Sequence, residues 1–176
     1  MSQKQRYLST GTVYIPLAKI REVYNDFLEM KNHFPSCNIF FTSRGIKDVN
    51  MIALQYYSYL PEEFQYVHEN FFRQYNSYTP CTEPKTDDFY FSSCTHVRFD
   101  TLLQLRQAMC NLRKNGRFKK CVIFYTVSGD LSHAHIHFYT HNNDTLIEFL
   151  NLMSSEFCEY LYTERWCYAL LRAAPI

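Results

Sequence analysis

The chain has 176 residues, 47% of them hydrophobic and 18% aromatic, with a formal net charge of +1. That length suits one domain or two small ones, and so apolar a composition excludes a disordered chain. No apolar run approaches a membrane-spanning length and no apolar stretch follows the first six residues, so neither a transmembrane segment nor a secretory signal is expected. Seven cysteines without a C-x-x-C pair read as reduced, mostly buried thiols of a cytosolic or nuclear protein rather than a disulfide framework.

In chain order, residues 11–15 form a β-type run, and Ile20, Val23, Tyr24, Phe27 and Leu28 follow at helical spacing. Residues 37–45 and 51–55 read as two strands. Residues 61–75 read as a helix opened by Pro61, Glu62 and Glu63, a proline and two acids suited to a first turn. Pro80 and Pro84, among Asp and Thr, predict a linker over 79–88. A second series then follows: a short strand at 88–92, a helix carrying Leu102, Leu105, Ala108, Met109 and Leu112, a strand over 121–127, a histidine-rich strand, and a helix over 144–156 capped by Asn143 or Asp144. A β-type run at 160–163 follows it.

The two series match at an offset of 84 residues. Cys37-Asn38-Ile39-Phe40-Phe41-Thr42 runs beside Cys121-Val122-Ile123-Phe124-Tyr125-Thr126, and Met51 to Gln55 beside His135 to Tyr139. The expected fold is therefore α+β, with tandem ferredoxin-like (split βαβ) repeats and antiparallel sheets flanked by helices. Residues 1–84 are a degenerate βαββα repeat and residues 85–176 a complete βαββαβ domain. The pattern leaves open whether the halves share one sheet.

The most informative stretch is 132–141. As a strand, it presents His133, His135, His137, Tyr139 and His141 on one face, and Ala134, Ile136, Phe138 and Thr140 on the other. The second set is an ordinary core face. The first gathers imidazoles whose neutral nitrogens can converge on a divalent cation. The plainer alternative is histidines hydrogen-bonded within a sheet. Met51 and Ala53 stand in the first half where His135 and His137 stand in the second, so strand packing alone does not require the histidines. Arg113, Lys114, Arg117, Lys119 and Lys120 lie in a segment, 101–129, without an acidic residue, either a solvated helix end or a phosphate-binding patch.

His135-Ile136-His137 after a hydrophobic hairpin resembles the HUH motif (His, hydrophobic, His) of viral and plasmid replication initiators, the rolling-circle Rep proteins. The first strand at Phe89-Tyr90-Phe91-Ser92-Ser93-Cys94 fits the same pattern. The second half is also similar to the origin-binding domain of polyomavirus large T antigen, with Glu164-Arg165-Trp166-Cys167-Tyr168-Ala169-Leu170-Leu171-Arg172 matching its last helix. The resemblance implies a divalent cation, Mg²⁺ or Mn²⁺, held by His135, His137 and a third ligand. His96 is the first choice for that ligand and His133 or His141 the next, since the family's carboxylate is missing here. It implies a tyrosine nucleophile joined to the 5′ end of the cut strand, best placed at Tyr168, with Tyr162 as an alternative.

The same resemblance implies DNA contacts from loops at 94–98 and 128–133, through His96, Arg98, Ser128 and His133, with Arg117, Lys119 and Lys120 on phosphate. The partners would be origin DNA, as duplex or single strand, and a helicase, in a host nucleus or cytoplasm. Three functions remain open. They are a nicking initiator, a non-nicking origin-binding module that recruits a helicase, and a tandem ferredoxin-like module binding RNA or protein through aromatics such as Phe89-Tyr90-Phe91 and Phe124-Tyr125.

Overall fold

Period-two alternation of apolar side chains sets the central layer. A computed structural model describes residues 8–75, 89 and 91–162 of the chain. It contains six strands: β1 (Ser9–Pro16), β2 (Asn38–Thr42), β3 (Met51–Ser58), β4 (Phe91–Arg98), β5 (Val122–Val127) and β6 (His133–Thr140). They form one antiparallel sheet in the order β1-β3-β2-β5-β6-β4. Four helices accompany it, α1 (Ile20–Lys31), α2 (Pro61–Asn70), α3 (Leu102–Lys114) and α4 (Asn143–Ser155).

Each half supplies three strands and two helices, and the strand order reads the same from either edge. Ser9 faces Ser58 where Phe91 faces Thr140, and Pro16 faces Met51 where Arg98 faces His133. These partners lie 82 residues apart in sequence, not 84. Only β2 and β5 keep the longer offset, with Thr42 standing where Thr126 does. Two residues are gained between α3 and β5 and lost again between β5 and β6; connecting segments absorb such changes where strands cannot. The halves meet at β2 and β5, where Phe41 pairs with Val127, Thr42 with Thr126, and Ser43 N donates to Tyr125 O at 2.8 Å.

The core lies on one side of the sheet. Ala134, Ile136 and Phe138 of β6 are fully buried, and Phe138 stacks on Phe149 of α4 with ring centroids 4.2 Å apart. Ile20, Val23 and Phe27 of α1, Leu102, Leu105 and Met109 of α3, and Leu152 and Met153 of α4 join the same cluster. Alternate residues of β6, His133 through Tyr139, face the other way and are only half buried. Arg106 of α3, 5% exposed, reaches across the junction: Nη1 donates to the carbonyls of Val49 and Met51, and Nη2 to that of Asp48.

Several predicted boundaries shift. The second-half edge strand runs to Arg98, so the segment expected as a loop at 94–98 is β4 itself. The predicted helix over 61–75 stops at Asn70 and continues as a short 3-10 turn, Phe72–Gln74. Asn142, one residue earlier than expected, caps α4 through its Oδ1, which accepts from Asp144 N at 2.8 Å. Of the run at 160–163, Tyr160 ends a 3-10 turn and Leu161 forms a single antiparallel bridge to Val97. The linker at 79–88 and the helix around 164–172 lie outside the described residues. Among the described residues, five cysteines are free thiols; Cys37 and Cys121 are buried, but Cys94 and Cys158 are exposed, so burial is less general than expected. No described helix is long and apolar enough to cross a membrane.

Candidate metal site on the open face of the sheet

β6 runs between β4 and β5, so its outward histidines have a neighbour on each side. On the β4 side, His96 is registered opposite His135 and Arg98 opposite His133. Directly opposed residues on paired strands share a face, and three rings meet there. Centroids are 4.3 Å apart for His96–His135, 5.0 Å for His133–His135 and 5.3 Å for His96–His133. One ring nitrogen from each of the three lies within 4.8 Å of the others. A tetrahedral ion with nitrogens at 2.0–2.1 Å needs them roughly 3.4 Å apart, a contraction that small side-chain rotations supply.

The protonation states suit metal binding. Burial holds the His96 imidazole down to about 4, with His135, His133 and His137 adding like-charge repulsion. Burial, then His133, also lowers His135. Both rings are neutral near pH 7 and keep a lone pair to donate. An all-imidazole donor set suits Zn²⁺ best; Mn²⁺ binds such a set more weakly, and Mg²⁺, which prefers oxygen ligands, more weakly still.

The surroundings hold the rings in place. Asp130, in the β5–β6 turn, accepts from Ser128 Oγ at 2.9 Å, Ser132 N at 3.0 Å and Ser132 Oγ at 2.7 Å. These hydrogen bonds, that from the Ser132 hydroxyl foremost, hold the carboxyl down to about 2. Ser132 Oγ also lies 2.8 Å from His133 Nδ1, and Cys94 Sγ 3.6 Å from His135 Nδ1. Hydrogen bonds to one imidazole nitrogen orient the other, as the outer ligands of metal sites commonly do. Tyr162 closes the site: its ring stacks on His133 at 4.7 Å while its N–H donates to the His96 carbonyl at 3.1 Å.

The expected ligand set shifts by two residues along β6. His137, expected beside His135, has its ring centroid 6.3 Å from that of His135 and is engaged elsewhere: its Nε2 is 2.9 Å from Thr126 Oγ1 and its ring stacks on Phe124 at 4.7 Å. His133 takes its place, so the close pair is His133-Ala134-His135, with the same spacing. His141 lies beyond β6 and stacks on Phe89 at 4.3 Å. Tyr168 lies outside the described residues.

The expected DNA contacts divide into two groups. His96, Arg98, Ser128 and His133 come together at one end of the strands. There Arg98 is ion-paired to Asp100 at 2.7 Å, and the Ser128 hydroxyl is bonded to Asp130 and to the His133 carbonyl. Arg117, Lys119 and Lys120 precede β5 at the other end, some 20 Å away at about 3.4 Å per residue. Arg117 is bound there to Glu148 of α4 at 2.6 Å. The basic segment therefore does not extend the histidine site. Sequence reasoning missed Cys94, and it ranked Tyr162, the tyrosine against the cluster, behind Tyr168. Cys94 was legible from its period-two relation to His96, whereas the stacking of Tyr162 on His133 depends on the segment after α4 returning to β4.

A stability test follows from His96. The unfolded chain takes up a proton on this ring near pH 6.5 and the folded chain only near pH 4. Between those values the unfolded state binds more protons, so stability falls as pH falls. With chelator present, wild type should lose on the order of 2 kcal/mol more than His96→Gln between pH 7 and pH 4 in urea unfolding. Equal losses in the two proteins would show that the folded state does not hold this ring neutral. No protein-family profile, curated protein or solved structure matches the chain.

Proposed function

We propose that the open face of the second half is a divalent-metal site that engages the phosphodiester backbone of DNA, in the manner of the HUH-type initiators that the sequence resembles. The observation that carries this reading is the triad of imidazoles from two paired strands, with a tyrosine ring stacked on it. A cation held by His96, His133 and His135 would supply a Lewis acid toward a phosphoryl oxygen. Tyr162, the tyrosine against the triad, then stands as the nucleophile, with Tyr168 as the alternative. Its phenolic oxygen loses a proton and bonds to phosphorus, the 3′-oxygen of the cut strand leaves and is protonated, and the tyrosine stays joined to the 5′ end.

We read each half as a ferredoxin-like split βαβ unit. The Leu161–Val97 bridge supports this for the second half, because it places the segment after α4 outside β4, at the edge where a fourth strand of that fold lies. In the first half Tyr14, Met51 and Ala53 hold the positions of His96, His133 and His135, so that half carries the fold without the ligands. A replication-initiator role in a host nucleus or cytoplasm, with origin DNA and a helicase as partners, follows from the resemblance.

A second reading is a non-nicking origin-binding module. It is favoured by the lack of a carboxylate among the clustered groups of the described residues. The base-stacking reading loses two of its aromatics, since Phe124 and Tyr125 are both buried, Tyr125 on the helix side. Incubation with Mn²⁺ and single-stranded oligonucleotides separates these readings. Nicking is expected to leave a covalent protein–DNA adduct that His135→Ala abolishes and that either Tyr162→Phe or Tyr168→Phe abolishes. DNA binding without adduct would select the non-nicking module. No shift of either DNA form at about 50 mM salt, where phosphate contacts are strongest, would remove both.

A further inference from the structure

We infer that the cleft between α3 and the β2–β3 loop, on the helix side of the sheet, binds the phosphate group of a small phosphorylated molecule of nucleotide size. This site is independent of the histidine reading, because Tyr125 in its wall and Phe124 on the open face point to opposite sides of β5.

The cleft has a volume of about 450 Å³, within the range of small-molecule sites. Four cations, Lys47, Arg106, Arg113 and Lys114, line it, and no acidic residue does. Like charges gathered in one concavity repel each other and focus a positive field, which an anion relieves. Arg106 is fixed by its three carbonyl contacts and forms a rigid cationic wall. Arg113 commits Nη2 to the Cys121 carbonyl at 2.9 Å, leaving further donors of its fork for phosphate oxygens. Lys47 and Lys114 are exposed, and their long flexible stems can reach a ligand in the cleft.

A second observation is independent of charge. Tyr125 is 4% exposed, and its hydroxyl is buried without a hydrogen-bond partner among the described residues. A buried, unpaired hydroxyl is costly, and a phosphate oxygen is an acceptor that would satisfy it. Packing does not require this polar set. In the mirrored position of the first half, Tyr24, Lys31, Asn32 and Phe41 stand where Arg106, Arg113, Lys114 and Tyr125 stand, and the strands pair equally well. The apolar side chains of Ile46 and Ile123 supply a surface for the rest of the molecule.

Phosphate could also be presented by a nucleic-acid backbone, and calorimetry on the full chain separates the two sources. The probes are inorganic phosphate, adenosine 5′-monophosphate and a DNA duplex, in about 150 mM salt to screen surface charge. Phosphate and the nucleotide are expected to bind saturably, the nucleotide more tightly. Lys47→Gln/Lys114→Gln should weaken both by about tenfold or more and Tyr125→Phe by several-fold. His135→Ala should leave both unchanged. Circular dichroism of each variant checks that the fold is retained. The proposal is overturned if neither small probe saturates by about 10 mM, or if the lysine pair changes nothing. It is equally overturned if the lysine pair weakens only duplex binding, which would make the cleft a backbone contact.

Discussion

Alanine at His96, His133 or His135 is expected to weaken Mn²⁺ or Zn²⁺ binding by at least about a hundredfold, near 2.7 kcal/mol, whereas alanine at His137 changes it by less than about threefold. The asymmetry follows from geometry. The first three rings share one face with nitrogens within 4.8 Å, while His137 is turned to Thr126 and stacked on Phe124. Removing one of three ligands leaves two imidazoles, which bind a divalent ion weakly. Metal titration followed by calorimetry gives the affinities, and Co²⁺ absorption reports the ligand field. Equal losses at His135 and His137, with none at His133, would restore the pair that the sequence pattern suggested.

Replacing Arg106 by leucine should destabilise the protein by about 3 kcal/mol, lowering the melting temperature by roughly 6–12 °C. Three backbone carbonyls, those of Asp48, Val49 and Met51, converge on this one guanidinium across the junction between the halves. Leucine fills part of the volume but leaves those acceptors without their charged donor. Burial lowers the Arg106 pKa, with Tyr125 and Asp48 acting the other way, and the side chain remains a cation at neutral pH. Lysine should rescue little, because a point ammonium cannot span three carbonyls as a planar fork does. Urea unfolding measures the loss; a change below about 0.5 kcal/mol would mean that the two halves hold together without this tie.

Much of this arrangement could be read from the residues. Strict alternation over 133–140 determined the strand and both of its faces, because one set is apolar apart from Thr140 and the other is mostly histidine. Helices α1 and α3 were legible from apolar spacing, and the near repeat of Cys37–Thr42 in Cys121–Thr126 located the matching hairpins. What could not be read was register. In a row where His-x-His occurs at each step, the working pair depends on which ring the neighbouring strand places opposite. That required β4 to extend to Arg98 and to pair His96 with His135. The offset of 84 holds between β2 and β5 alone. The shift to 82 elsewhere is even, so it changed the residues compared but not the face they occupy. The cationic segment misled for another reason: charge along a chain says nothing of which end of a strand it occupies, and Arg117 is bound to Glu148 on the helix side.

The central claim is that His96, His133 and His135 jointly hold one cation. A crystal of the full chain grown with Mn²⁺ or Zn²⁺, with anomalous diffraction recorded at the metal's absorption edge, tests it most directly. The expected result is a single strong peak at about 2.0–2.2 Å from one nitrogen of each of the three rings, beside Tyr162. A peak bound by His137 instead of His133, or the triad without any peak at saturating metal, would contradict it.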